Sequence, residues 1–175
     1  FKSQKKSATT NQDGKWEVVF PAQTHGGHYE VTIKSYQKNI VLKNILIGDV
    51  WFCSGQSNMA FQLQQSENGN EEIKKALPNT AIRLFNFKDL RETDNTVWDS
   101  ITLAKTNQLE FFSGSWSVCD SISAKDFSAI AYYFGKNIAH AENIPVGLIQ
   151  VAVGGSPIES WIDRYTLEHD DKVVD

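Results

Sequence analysis

Residues 128–153 constrain the fold most, because a helical pattern there leads directly into a strand that is apolar along almost its whole length. From Ser128 to Asn143, apolar residues recur at helical spacing, and Pro145 ends the pattern. Val146–Val153 is typical of a parallel strand covered on both faces. Strand, helix and strand in this order predict an α/β domain with a parallel sheet.

The segment before residue 48 has a different pattern. His28–Lys34 alternates between apolar and polar residues, Ile40–Ile47 follows as one or two further strands, and Trp16–Phe20 alternates imperfectly. We therefore predict that residues 1–47 are the C-terminal part of an N-terminal β-sandwich domain. Residues 48–175 are predicted to be the N-terminal part of an α/β domain.

Shorter elements are predicted within this second part. Val50–Cys53 has the composition of a short buried strand, residues 70–77 that of a helix, and residues 82–87 that of a strand. Residues 88–122 show little periodicity, so we expect a long surface connection with local strands at 111–112 and 116–118.

Composition and charge exclude several classes of function. The net charge is −4 and no Lys/Arg cluster suggests a nucleic-acid partner. No apolar stretch approaches the roughly 18 residues that a membrane span needs. No Cys or His spacing indicates a metal site, and we expect no cofactor. Cys53 is expected to be buried, with a bridge to Cys119 left open.

The ends of the chain suggest an internal fragment. The single methionine is Met59, and no signal-peptide pattern opens the sequence. A processed mature chain is the alternative.

A serine and a glycine pair follow two of the predicted strands. The apolar run Ile45–Cys53 gives way to Gly55-Gln56-Ser57-Asn58, where a helix can begin, and Val146–Val153 ends in Gly154-Gly155. Ligands of open α/β sheets lie at the carboxyl ends of the strands. Side by side, the two turns would supply a serine nucleophile and backbone donors for an oxyanion, as ester hydrolysis requires. The structural alternatives are an N-cap for Ser57 and a tight turn for the glycines.

Three blocks of sequence resemble one family. Gly48–Met59 resembles the first motif of sialate O-acetylesterases and related carbohydrate esterases, which belong to the SGNH (GDSL-like) hydrolase superfamily. Phe127–Gly135 and the stretch from Pro145 to Trp161 resemble later parts of the same family. The resemblance implies a flavodoxin-like, three-layer domain with a parallel sheet, here truncated at its C-terminal end. Met59 stands where a G-x-S-x-G elbow has its last glycine, so the ordinary α/β-hydrolase pattern is disfavoured.

The resemblance also implies roles for particular residues. Ser57 is the nucleophile, and the N–H groups of Ser57 and of Gly154 or Gly155 form part of the oxyanion hole. A third donor, an Asn, and a His–Asp base belong to later blocks, so the isolated fragment is expected to lack them. His169 could replace the missing base. The alternative is that it belongs to a charged, solvated end of a helix and has no catalytic role.

Four other residues are candidates for supporting the loops or the substrate. Gln56 is expected to hold the first loop, and Asn58 to position it. Glu159 is expected to bond to backbone N–H groups or to pair with Arg164. Trp161 either stacks on a sugar ring or anchors the core.

The predicted function is therefore that of a serine esterase, which removes O-acetyl groups from sialic acid or another acetylated carbohydrate. The partner is an O-acetylated sugar or glycan. Such substrates imply an extracellular or periplasmic location, or a lysosomal one in a eukaryote. The alternative is a non-catalytic carbohydrate-binding module or an inactive relative of the esterases.

Overall fold

The computed structural model describes residues 3–36, 38–76, 81–89, 97, 99–108 and 112–170. Its strands are β1 (Gly26–Lys34), β2 (Asn39–Ile47), β3 (Asp49–Gly55), β4 (Ile82–Asn86), β5 (Lys88–Asp89), β6 (Phe112–Ser113), β7 (Trp116–Val118) and β8 (Val146–Ala152). Its helices are α1 (Ser57–Ala60), α2 (Gly69–Lys75), α3 (Ser100–Asn107), α4 (Ala129–Glu142) and α5 (Arg164–His169), with 3-10 turns at Leu63–Gln65 and Ile158–Trp161. Among the described residues, no helix combines the length and apolar composition needed to cross a bilayer.

The chain divides into two compact units, Phe1–Asp49 and Val50–Asp175. In the first unit, β1 and β2 form an antiparallel pair, with Thr32 opposite Val41. β1 confirms the strand predicted at His28–Lys34, and β2 shows that Ile40–Ile47, where one or two strands were predicted, is a single strand. The strand predicted at Trp16–Phe20 is wrong, because that segment has no regular secondary structure.

The second unit is built on a sheet with strand order β3-β8-β4-β7. β4 and β8 run parallel, with Leu84 opposite Leu148, whereas β7 is antiparallel to β4. At one end of β3, Val50 lies beside Gly147 of β8, and at the other end the N–H of Val153 donates to the carbonyl of Gly55. The order of these contacts shows that β3 and β8 also run parallel. The predicted α/β class is therefore confirmed, while the sheet is mixed: it is parallel across β3, β8 and β4, and β7 is antiparallel.

Helix α4 packs on one face of this sheet. The buried core includes Leu84 and Leu148 from the strands and Ala131 and Tyr132 from the helix. The helix approaches the sheet closely at Gly135, where an added Cβ would lie only 2.6 Å from Leu148 Cδ1. Ser128 caps the helix, since its hydroxyl accepts a hydrogen bond from the N–H of Ala131.

Two predictions about this unit need correction. Val50–Cys53 does form a strand, but Val50 and Phe52 are 61% and 65% exposed and only Cys53 is buried. Trp51 packs edge-on against Phe134 of α4. Because side chains alternate along a strand, Val50 and Phe52 lie on the opposite face of the sheet, away from α4, and are exposed there. Residues 88–122 contain α3 where a connection was predicted. The strands predicted at 111–112 and 116–118 correspond to β6 and β7, although residue 111 lies outside the described residues. The same holds for residue 77, the last residue of the helix predicted at 70–77.

Candidate active site

Ser57 lies at the point where β3 turns into α1. It is the first residue of α1, and its side chain is exposed. Gly55 makes the turn with a φ of 152°, and a Cβ at this position would lie 3.2 Å from Met59 Cβ. The turn therefore needs a glycine two residues before the serine. The hydroxyl is displayed on the surface, as the sequence predicted.

The glycine turn after β8 lies next to Ser57. An ideal Cβ built on Gly154 would be 3.9 Å from both Cα and Cβ of Ser57. The backbone bond from Val153 to Gly55, 3.1 Å long, joins the ends of the two strands. The structure thus brings together the two turns, which the sequence predicted to lie at the carboxyl ends of neighbouring strands.

The glycine turn has a defined backbone geometry. The N–H of Ser156 donates to the carbonyl of Val153 over 3.3 Å, and the Ser156 hydroxyl donates to the same carbonyl over 2.8 Å. Gly155 has a φ of +79°, whereas Gly154 is not among the residues with a positive φ. A positive φ at the third position alone is the pattern of a type II turn, which favours glycine there.

The side chain of Gln56 connects the two turns. Its Nε2 donates to the carbonyl of Ser156 over 2.8 Å, and its Oε1 accepts the hydroxyl of Ser57 at 3.3 Å. Ser156 is only 6% exposed, and its hydroxyl also accepts the indole N–H of Trp161 over 2.8 Å. Sequence reasoning missed Ser156, although its position directly after the two glycines was the available signal.

The loop that follows Ser57 is fixed to the start of α4. The hydroxyl of Ser128 lies 3.3 Å from the sulfur of Met59, and the N–H of Ala129 donates to the carbonyl of Phe61 over 2.8 Å. The N–H of Ser128 donates in turn to Oε1 of the buried Gln150, over 2.6 Å. These bonds attach the segment after the nucleophile candidate to both α4 and β8.

Comparison with known proteins identifies the family. A family model described as "Carbohydrate esterase, sialic acid-specific acetylesterase" matches residues 47–173, which include both turns. The chain belongs to this family of carbohydrate esterases.

Curated relatives and a solved structure agree with this assignment. A sialate O-acetylesterase of Rattus norvegicus is 29% identical and one of Homo sapiens is 28% identical, each over 87% of this chain. The structure of a carbohydrate acetylesterase from Xanthomonas citri superposes with a TM-score of 0.70 at 26% identity, over 90% of this chain. This chain spans 28% and 29% of the two relatives and 34% of the solved chain.

The remaining candidates of this carbohydrate-esterase chain lie around the two turns. Asn58 is exposed on α1, and Glu159 is exposed in the 3-10 turn that follows the glycine turn. The expected pairing of Glu159 with Arg164 is wrong, because the Arg164 guanidinium pairs with Glu168 one turn along α5. Trp161 is half-buried and bonded through its indole N–H to the glycine turn, which favours an anchoring role.

The histidines of the second unit are not bonded to the serine. Within the described part of the unit Val50–Asp175, the hydroxyl of Ser57 is bonded to Gln56, and neither His140 nor His169 contacts it through a hydrogen bond. His169 donates from Nδ1 to the carbonyl of Tyr165 over 2.9 Å and stacks on its ring. This geometry is that of a local contact within α5.

The cysteines and acidic groups offer no competing site. Cys53 and Cys119 are both buried thiols, and no disulfide joins them. Burial raises the pKa of the Cys53 thiol, which disfavours the thiolate that a nucleophile needs. In the described part of the chain, no three His, Cys, Asp or Glu side chains come together as metal ligands.

Proposed function

We propose that this chain is part of a serine esterase of the SGNH type, which removes O-acetyl groups from sialic acid or another acetylated carbohydrate. The proposal depends on one observation above all: the exposed Ser57 is a neighbour of the glycine turn, since an ideal Cβ built on Gly154 would lie 3.9 Å from Cα and Cβ of Ser57. Both residues fall inside the segment that matches the carbohydrate esterase family.

The reaction proceeds in two steps. The Ser57 oxygen attacks the acetyl carbonyl, the hydroxyl proton passes to a general base, and the carbonyl becomes a tetrahedral oxyanion. Collapse of this intermediate releases the sugar, whose oxygen takes up the proton, and leaves an acetyl group on Ser57. Water then attacks the acetyl-enzyme and acetate is released.

The oxyanion is stabilised by backbone donors of the two turns. Ser57 is the first residue of α1, so no carbonyl one turn earlier is available to its N–H. The N–H of Gly154 or Gly155 supplies a second donor from the neighbouring turn. One such donor is worth about 10²–10³ in kcat.

The base and the third oxyanion donor are assigned through the family and not through this chain. The resemblance implies a His–Asp pair and an Asn side chain from later motifs. His169 remains a weaker candidate, because its Nδ1 is already engaged with the carbonyl of Tyr165.

The wider context is part of the same proposal. The rat and human relatives are named sialate O-acetylesterases, and the solved neighbour is named a carbohydrate acetylesterase. We extend these substrates to this chain, with residues 48–175 as the esterase part and residues 1–47 as part of a preceding β-sandwich. O-acetylated glycans are encountered mainly outside the cytoplasm, which favours an extracellular, periplasmic or lysosomal location.

The test is the substitution Ser57→Ala in the full-length protein. We expect release of acetate from an O-acetylated sialic acid to fall about a thousandfold or more, because the nucleophile is lost. Labelling by a fluorophosphonate should disappear with it. The matched control is Ser121→Ala, which removes an exposed hydroxyl elsewhere in the same unit. Unchanged turnover in the Ser57 variant would remove this residue from the mechanism, and glycan binding without labelling or turnover of the wild type would indicate a binding module.

A further inference from the structure

A single side chain joins the two turns of the candidate active site. The amide of Gln56 forms one hydrogen bond to each turn. Its Nε2 donates to the carbonyl of Ser156, and its Oε1 accepts from the hydroxyl of Ser57. On its far side, Ser156 is held by Trp161 and by its own hydroxyl bond to Val153. The last residue of the glycine turn is thus fixed from three directions.

The conformation of this turn decides the direction of the N–H of Gly155, one of the two candidate donors to the oxyanion. Type I and type II turns differ mainly by a flip of the peptide between the second and third residues. Here that peptide joins Gly154 and Gly155, and it carries the N–H of Gly155. A flip would reverse the direction of this N–H and of the carbonyl of Gly154.

The two bonds of Gln56 differ in strength. The contact with the Ser156 carbonyl, at 2.8 Å, is short for an N–H···O bond, whereas the contact with the Ser57 hydroxyl, at 3.3 Å, is long for an O–H···O bond. The weaker bond is easily exchanged when the hydroxyl turns to a base. The stronger bond persists, so the main effect of Gln56 falls on the glycine turn.

We propose that Gln56 is a positioning residue, which holds the Gly154–Gly155 peptide in the type II orientation beside Ser57 through its bond to the Ser156 carbonyl. Trp161 acts on the same turn through the Ser156 hydroxyl. This inference rests on the proposed esterase function, since it assigns these side chains to orienting an oxyanion donor.

The test compares three glutamine substitutions in the full-length protein. Q56L removes both amide contacts, and Q56E keeps the size and the acceptor but loses the donor to Ser156. We expect both variants to lower kcat for an acetyl ester about 10- to 100-fold, up to the effect of losing a donor, with KM changed less than about threefold. Q64L is the control, because Gln64 makes its side-chain bonds to Gln62 and Asp126.

A second measurement separates a role in the turn from a general loss of structure. Because Gln56 and Trp161 act on the same residue, the double variant Q56L/W161F should lose less kcat than the product of the two single losses. W161F removes the indole N–H and keeps an aromatic side chain, although a smaller one. Thermal unfolding of Q56E should stay close to that of the wild type, so that Q56E remains informative even where Q56L fails to fold.

The outcomes distinguish this inference from the esterase proposal. If S57A retains full activity, the esterase mechanism itself is wrong. If S57A is inactive while Q56L and Q56E turn over like the wild type, the esterase proposal stands and the role of Gln56 is refuted. Strictly multiplicative losses for Q56L and W161F would refute their common action on the glycine turn.

Discussion

The contact between Gly135 and Leu148 allows a stability prediction that does not depend on the chemistry of the site. Gly135 is in the middle of α4, where replacement of glycine by alanine normally stabilises a helix by about 1 kcal/mol. A Cβ at this position would lie 2.6, 2.8 and 3.0 Å from three carbons of the Leu148 side chain, which is fully buried. Overpacking of this kind costs about 1–3 kcal/mol. The steric cost exceeds the helix gain, so we expect Gly135→Ala to be destabilised by about 1 kcal/mol.

Urea unfolding followed by circular dichroism measures this change. The matched control is Asn137→Ala on the exposed face of the same helix. The higher helix propensity of alanine should raise the free energy of unfolding by about a few tenths of a kcal/mol. In a Leu148→Ala background the clashing carbons are absent, and Gly135→Ala should then become stabilising. A Gly135→Ala protein more stable than the wild type would refute the close approach of α4 to β8.

Three further predictions concern the site and the core. Gly155→Ala places a Cβ at a φ of +79°, which costs about 1–2 kcal/mol and favours the flipped peptide, so kcat for acetyl esters should fall at least about tenfold, measured by acetate release. Gln150→Leu leaves the buried N–H of Ser128 without its acceptor, and urea unfolding should show a loss of about 1–3 kcal/mol. Burial raises the pKa of Tyr132 from 10 to about 12, so the protein should lose stability between these pH values, where the unfolded phenol ionises and the native one does not. Equal pH slopes for the wild type and Tyr132→Phe would contradict this assignment.

The sequence predicted the elements whose pattern is local and strong. Ser128–Asn143 and Val146–Val153 carried clear helical and strand signals, and the structure has α4 and β8 at these places. The adjacency of Ser57 and Gly154 followed from a rule of topology, because the carboxyl ends of neighbouring parallel strands meet at one edge. This part of the site was therefore accessible before any coordinates.

Other features depend on contacts between distant parts of the chain. The hydrogen bond from Gln56 to Ser156 joins residues that are 100 positions apart in the sequence. No local sequence pattern predicts which carbonyl a glutamine side chain will bind. The exposure of Val50 and Phe52 depends on which face of the sheet α4 covers, whereas their apolar composition alone predicted burial. Helix α3 was missed because its apolar residues have no clear face, so periodicity gave no helical signal.

The position of β3 has a consequence for how this polypeptide meets other chains. In the sheet formed by the described residues, one side of β3 has no neighbouring strand, and the large side chains of Val50 and Phe52 lie open to water beside that border. Unpaired backbone amide and carbonyl groups next to exposed apolar side chains are the features of an edge strand from which non-native self-association begins. Lysine in place of Phe52, in the middle of β3, would disfavour such association, and Ser57 lies beyond the end of this strand, in α1.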